Sequence, residues 1–161
     1  MGILNKLSMD KNKIPVNFSF SCFFLIIFFV SLLFISQKHD LEDIKGVKIA
    51  GQNVEVDLAL TKEIQAQGLS GRGELKTNKG MLFVFPQSGS YPFWMKDMNF
   101  PIDMIWLDEN LRVVYIKRNA RPESYPEIYE SKILSKYVLE VVSGFADKNN
   151  LKEGDKIDFL Y

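Results

Sequence analysis

The uncharged run at residues 14–37 is the feature that most constrains this chain. It contains no Asp, Glu, Lys or Arg, and it holds seven of the 13 phenylalanines. A helix needs about 20 apolar residues to cross the hydrocarbon core of a bilayer. We therefore predict one transmembrane helix over residues 14–37, preceded by a short cytoplasmic N-terminus at residues 1–13.

The charges that flank this run predict its orientation. Residues 1–13 carry three lysines and one aspartate, whereas residues 38–43 are acidic on balance. The positive-inside rule places the N-terminus in the cytoplasm and the rest of the chain outside. The length of the run and the lack of a small-x-small site after it favour an uncleaved signal anchor. The alternatives are a cleaved signal peptide, which gives a secreted or periplasmic protein, and a buried helix of a globular fold.

The remainder, residues 40–161, is long enough to bury its own core. Four of the 20 basic and one of the 20 acidic residues precede Asp40, which leaves 16 and 19. The resulting net charge of −3, without a basic stripe, argues against nucleic-acid binding. The only cysteine, Cys22, lies in the apolar run, so this part has neither a disulfide nor a thiol nucleophile.

Short alternating segments separated by turn residues dominate the rest of the chain. After a polar tether at residues 38–46, the pattern predicts a β-hairpin at 47–60 and a helix at 62–67 between Thr61 and Gly68. Further strands are predicted at 81–85, 93–96, 102–107, 111–116, 137–142 and 156–160, and short helical segments at 130–136 and 144–150. We expect a mainly β domain with two short helices, folded as a compact antiparallel sandwich or barrel.

Five phrases in this part resemble a known family. They are Gly-Leu-Ser-Gly-Arg at 68–72, Gly-Met-Leu-Phe-Val-Phe at 80–85, Phe-Trp-Met-Lys at 93–96, Pro-Ile-Asp-Met at 101–104 and Val-Leu-Glu-Val at 138–141. Together they resemble the bacterial and archaeal domain of unknown function 192 family over about residues 47–161. The resemblance implies a compact β-rich domain, often behind a signal or anchor segment. It implies no activity, because none is established for that family.

The candidate site consists of charged and amphipathic residues inside or beside these phrases: Arg72, Trp94, Lys96, Asp97, Asp103 and Glu140. In a pocket, Arg72 and Lys96 would meet an anionic or carbonyl group, and Trp94 would supply a flat apolar wall. Asp103 and Glu140 would orient the ligand or act as acid and base. The alternative is structural: Arg72 would neutralise Asp103 or Glu140 in the core, and the tryptophans would be core residues.

The segment at residues 91–97 is the predicted edge of such a pocket. Its aromatic residues 91–94 form a surface of the kind on which sugars or peptides stack, although such residues more often pack in the core. Lys96 and Asp97 lie between apolar phrases, where a hairpin tip would expose them for a partner contact or simply to solvent.

The residue types that are missing narrow the chemistry. The only histidine, His39, lies beside the apolar run, so His-dependent nucleophilic catalysis and His-based metal sites are implausible in the domain. Oxygen ligands for calcium or magnesium exist, but no EF-hand spacing or phosphate-binding glycine loop is present. We predict no cofactor and no metal.

These features favour a membrane-tethered extracytoplasmic binding or accessory module for an envelope partner, a peptide or a saccharide. The usual catalytic residue types are absent, so an enzyme is the less favoured interpretation. One alternative is a hydrolase that uses Asp103 and Glu140 as a carboxylate pair, for which the sequence does not define the separation. Another is a purely structural envelope protein.

The anchor prediction concerns the N-terminus of the protein in cells. Because an uncleaved anchor keeps residues 1–37, we expect protein extracted from membranes with detergent to retain them. Intact-mass measurement and N-terminal sequencing check this. A mature chain that begins near residue 37 would contradict it.

Overall fold

The computed structural model describes residues 41–161, in which seven strands and two short helices follow the apolar pattern. The strands are β1 (Gly46–Ile49), β2 (Gln52–Ala59), β3 (Lys79–Gly89), β4 (Ile102–Leu107), β5 (Val113–Ala120), β6 (Ser135–Val142) and β7 (Asp158–Leu160). The helices are α1 (Lys62–Gln67) and α2 (Phe145–Lys148), with one 3-10 turn at Pro122–Ser124. The prediction of a mainly β domain with two short helices is confirmed.

The strands form one mixed sheet in the order β5-β4-β6-β3-β2-β1-β7. Five neighbouring pairs are antiparallel, and β2 with β3 is parallel. The parallel pair arises because α1 lies in the connection between β2 and β3 and returns the chain to the same end of the sheet. The sheet is therefore mixed but mostly antiparallel, and the parallel pair of β2 with β3 was not predicted from the sequence.

Hydrogen bonds link the two ends of this sheet. Arg112, just before β5, forms a bridge with Lys156, just before β7. The amide of Val113 donates to the carbonyl of Asp155 at 2.9 Å, and that of Ile157 donates to Leu111 at 3.0 Å. The sheet therefore curls around a core of aliphatic side chains and is barrel-like, because its edge strands are joined.

The three central strands, β3, β6 and β4, are buried on both faces. One face contributes to the inner core, which includes Leu82, Ile105 and Leu139. The outer face carries a second apolar cluster that includes Phe83 and Trp106. The connecting segments at residues 68–78 and 90–101 contribute Leu69, Met95 and partly buried Phe93 to this outer cluster. The candidate site lies on this outer face.

Several local predictions differ from the structure. Residues 93–96 form no strand, and only Phe93 makes an isolated bridge, with Tyr129. No helix forms at 130–136, because Ser135 already begins β6. β3 continues beyond Pro86 to Gly89, since its register with β6 shifts between Val84 and Gly89 and leaves the imide unpaired. β5 begins two residues later than predicted and extends to Ala120.

No helix within residues 41–161 is long and apolar enough to cross a membrane. The predicted transmembrane segment at 14–37 and the predicted cytoplasmic N-terminus at 1–13 lie outside the described residues.

Candidate functional site

Glu140 is the centre of the candidate site. It lies in the middle of β6, where its backbone pairs with Met81 of β3 and Met104 of β4. Its side chain shares the outer face with these methionines because side chains directly opposite one another on paired strands share a face. Glu140 is 4% exposed.

The carboxyl of Glu140 is buried with one oxygen unpartnered and with a raised pKa. Its Oε2 atom has no hydrogen-bond partner among residues 41–161. Burial raises the pKa of Glu140 from 4.5 to about 8, and the positive charge of Arg72 opposes part of this rise. The carboxyl is therefore mostly protonated at neutral pH, and it can both donate and accept a hydrogen bond.

Glu140 lines a groove with a volume of about 280 Å³. One wall is made by the end of α1 and the following turn at residues 65–70. The other walls are rich in aromatic side chains: Phe83, Phe85, Tyr91, Phe93 and Trp94. A concave, mostly apolar site with a small number of polar groups is the usual form of a small-ligand pocket.

The aromatic walls are fixed by contacts among the rings. Phe85 stacks on Tyr91 with ring centroids 3.5 Å apart, and the edge-to-face pair of Phe83 and Phe93 has centroids 4.8 Å apart. The indole Nε1 of Trp106 donates to the carbonyl of Tyr91 at 3.0 Å. These contacts hold the walls in place without a ligand, so binding requires little ordering of side chains.

Trp94 lies at the mouth of the groove and is 52% exposed. Its ring packs edge-to-face against Tyr125, with centroids 6.4 Å apart. It is therefore a rim residue, and the alternative in which Trp94 belongs to the core is wrong. Trp106, by contrast, is fully buried in the outer cluster, as the structural interpretation required.

The α1 wall is positioned by local sequence. The Thr61 side chain accepts from the amide of Ile64 at 3.3 Å and begins the helix. Gln65 Nε2 donates to the carbonyls of Ala59 and Val84, each at 3.0 Å, which fastens α1 to the ends of β2 and β3. Gly68 ends the helix at φ +54°, a conformation that favours glycine. The predicted helix, N-cap and stop are all confirmed.

Arg72 forms its ion pair with Asp57 of β2, at 2.6 Å from Nη1 to Oδ2. The pair is largely exposed, so it contributes at most about 1 kcal/mol to stability. The structural alternative, in which Arg72 pairs directly with Asp103 or Glu140, is therefore wrong, because the partner of Arg72 is Asp57. The sequence analysis did not identify Asp57, which lies in the predicted hairpin at 47–60, as the partner of Arg72.

Asp103 lies on the opposite face of the sheet from Glu140. It precedes Met104, the cross-strand partner of Glu140, and successive residues of a strand point to opposite faces. Its carboxylate accepts from the amides of Asn119 at 2.8 Å, Gly144 at 3.2 Å and Ala146 at 2.8 Å. The prediction that Asp103 and Glu140 act as a carboxylate pair is therefore wrong, because they do not share a pocket.

Lys96 and Asp97 form an exposed turn whose backbone supports the groove. The Ser70 hydroxyl donates to the carbonyl of Lys96, and the amide of Gly71 donates to that of Asp97, both at 2.8 Å. Neither side chain lines the groove. Of the six predicted site residues, the structure brings Trp94 and Glu140 together in the groove and places Arg72 near Glu140.

Other groove residues were missed from the sequence. Gln65, Phe83 and Phe85 line the groove but were assigned to a helix and to a buried strand without a site role. The aromatic run 91–94 was the one signal that pointed to the correct rim. Within residues 41–161, no group of three or more His, Cys, Asp or Glu is placed to hold a metal ion.

Comparison with known proteins identifies relatives of this chain. The model of the DUF192 family, described as "Uncharacterized ACR", matches residues 28–159. A crystal structure of a protein of unknown function from Novosphingobium aromaticivorans DSM 12444 is 31% identical, with a TM-score of 0.68 over 71% of this chain and 84% of that one. A putative transcription regulator from Sinorhizobium meliloti 1021 is 28% identical, with a TM-score of 0.66 over 71% and 90%. No curated protein matches the chain.

The first prediction from this geometry concerns Asp103. Asp103→Asn replaces one accepting oxygen with a donor facing backbone amides, and bonds to charged groups contribute about 1.5–3 kcal/mol each. We expect the free energy of unfolding to fall by about 3 kcal/mol in urea titrations. The control is Asp147→Asn in α2, where the exposed pair with Arg118 contributes less than about 1 kcal/mol. Equal effects of the two variants would contradict the assignment.

The second prediction concerns the pH dependence of stability. Between pH 4.5 and about 8, Glu140 binds more protons in the folded chain than in the unfolded chain. Its contribution to stability is therefore fully present below pH 4.5 and is lost as pH rises to about 8. The loss is about 5 kcal/mol at most, since each pKa unit corresponds to about 1.4 kcal/mol.

Glu140→Gln removes this titratable group. The difference in the pH dependence of stability between the variant and the wild-type protein therefore reports Glu140 alone. We expect the variant to gain stability relative to the wild-type protein between pH 5 and pH 8. Urea unfolding of both proteins at the two pH values measures the difference. The same pH dependence in both proteins would show that Glu140 titrates normally.

Proposed function

The chain belongs to the uncharacterised DUF192 family, and we propose that this member is a membrane-tethered extracytoplasmic binding module. Its aromatic groove holds part of an envelope partner, which is a peptide or a saccharide. Residues 14–37 anchor the protein with its N-terminus in the cytoplasm, and the tether that follows keeps the domain close to the membrane surface.

The unpartnered Oε2 of Glu140 in an aromatic groove is the observation that carries this proposal. Buried polar atoms nearly always have a hydrogen-bond partner, and leaving one without a partner costs about 1–3 kcal/mol. A core without a binding role is more stable with an apolar residue or a glutamine bonded to its neighbours. A ligand that bonds to Oε2 gives this atom its missing partner.

Exposed apolar side chains beside the groove support the same proposal. Trp94 packs edge-to-face against Tyr125, and Ile128 precedes Tyr129, the bridge partner of Phe93. Trp94, Tyr125 and Ile128 are all about half exposed. Contiguous apolar surface of this kind marks interaction sites, and tryptophan and tyrosine are enriched at interface hot spots.

A role in DNA binding is not proposed, although one structural neighbour is named a putative transcription regulator. Residues 40–161 carry a net charge of −3. Contacts to the phosphates of DNA require clustered lysine and arginine side chains.

The test of this proposal is capture of a partner by the full chain in membranes. Cross-linked partners of the wild-type protein are identified by mass spectrometry and then measured for variants. We expect Trp94→Ala to lose most of the capture, because it removes the exposed ring at the groove mouth. Its thermal midpoint should fall by only a few degrees, since truncating a half-exposed side chain changes stability little.

Tyr161→Ala is the matched control, because Tyr161 is an exposed aromatic residue that does not line the groove. We expect this variant to capture the partner as the wild-type protein does. Undiminished capture by Trp94→Ala, or a collapse of its thermal midpoint, would overturn the proposal that the groove binds the partner.

A further inference from the structure

We propose that the groove binds the primary ammonium group of a lysine side chain on a partner peptide, with the Glu140 carboxylate as its counter-ion. This inference rests on the proposed binding function and specifies the chemistry of its ligand.

The first argument is that Glu140 has no counter-ion. Among the ion pairs of residues 41–161, none includes Glu140. Arg72 acts on Glu140 through its charge, yet its guanidinium is bonded to Asp57 at 2.6 Å. A buried carboxylate is stable as an ion only when a partner charge and hydrogen bonds compensate its desolvation. A ligand ammonium supplies both, because it carries a charge and three donors.

The second argument is the composition of the walls. The faces of aromatic rings attract cations within about 6 Å of the ring centroid. The stacked pair of Phe85 and Tyr91, together with Phe93 and Trp94, surrounds the approach to Glu140. The fold already uses this interaction nearby, since Lys117 Nζ lies 4.1 Å from the centroid of Tyr129, the bridge partner of Phe93.

The third argument is the shape of the path to Glu140. Glu140 is 4% exposed, and the walls of the groove that it lines are mostly apolar. A lysine carries its ammonium on a four-carbon apolar stem that can lie along such walls. The amine of an amino sugar is attached directly to a polar ring and lacks this stem. The apolar rim at Trp94, Tyr125 and Ile128 fits apolar residues on either side of the lysine.

Among the described residues, the other charged side chains near Glu140 do not act as its counter-ion. Lys117 of β5 lies on the same face, but β4 separates it from β6, and its ammonium contacts Tyr129. The Tyr91 hydroxyl donates to the carbonyl of Gln87 at 2.6 Å. Lys96 and Asp97 are exposed outside the groove. On β3 and β4, the neighbours Met81 and Met104 carry no charge.

Binding of a cation is coupled to ionisation of Glu140. In the free protein its pKa is about 8, so an ammonium that binds at neutral pH displaces a proton from the carboxyl. The affinity should therefore rise between pH 6 and pH 8, on the order of 10- to 50-fold, as the ionised fraction of the free protein increases. A neutral ligand that accepts a hydrogen bond from the protonated carboxyl shows the opposite dependence.

The test uses the full chain in detergent and two matched peptides, acetyl-Leu-Lys-Leu-amide and acetyl-Leu-norleucine-Leu-amide. Isothermal titration calorimetry at pH 6, pH 7 and pH 8 measures both affinities, and buffers of different ionisation enthalpy report proton release. We expect the lysine peptide to bind at least tenfold more tightly than the norleucine peptide at pH 8, with release of a proton at pH 7. Glu140→Gln should abolish both the preference and the pH dependence.

Each other outcome overturns the inference in a distinguishable way. If both peptides bind equally and Trp94→Ala abolishes this binding, the groove is a binding site that does not recognise the ammonium group. Tighter binding of either peptide at pH 6 than at pH 8 would show that the protonated carboxyl of Glu140 donates a hydrogen bond to a neutral group of the ligand. Tighter binding of glucosamine than of the lysine peptide would assign the groove to amino sugars. If neither peptide binds, the ligand class is wrong, while partner capture that depends on Trp94 still decides the proposed function.

Discussion

The structure depends on the burial of its three central strands, β3, β6 and β4, on both faces. Their segments are almost continuously apolar, and β4 is buried along all six residues. Such strands need cover on each side, which the curled sheet supplies on one face and the connecting segments at residues 68–78 and 90–101 supply on the other. An acidic side chain on these strands is therefore costly wherever it points, and it requires a specific physical explanation.

Asp103 and Glu140, the two buried acids on these strands, differ in the groups that surround their carboxyls. Asp103 faces the start of α2 and accepts three backbone amides, so it joins β4 to the end of β5 and to α2. Glu140 faces the groove with one oxygen unpartnered and a raised pKa. Their neighbours in the sheet are equally apolar, and the difference comes from what approaches each face: backbone donors for Asp103 and aromatic rings for Glu140.

The sequence predicted the elements better than their pairing. Apolar runs located β3, β4 and β6, and the signals at Thr61 and Gly68 located α1 to the residue. Asp103 and Met104 are neighbours in the predicted strand at 102–107, and successive residues of a strand point to opposite faces. The face of Glu140 depends on its register with Met104, and the partner of Arg72 depends on the parallel pairing of β2 with β3. Both are long-range properties that local patterns do not contain, so the site was predicted only in part.

In the proposed binding function, the free energy cost of recognition lies in the unbound protein, because Glu140 is an unpartnered acid in a preformed groove. The aromatic walls are already packed, so a ligand loses little free energy to ordering them. The buried carboxyl instead destabilises the unbound fold, and a ligand that pairs with it relieves that cost on binding. A glutamine at the same position stabilises the unbound protein and loses the selectivity for charge. Such a loss of stability in favour of recognition is typical of binding sites, and the proposed function would thereby account for a fold that partners Asp103 fully and leaves Glu140 without a partner.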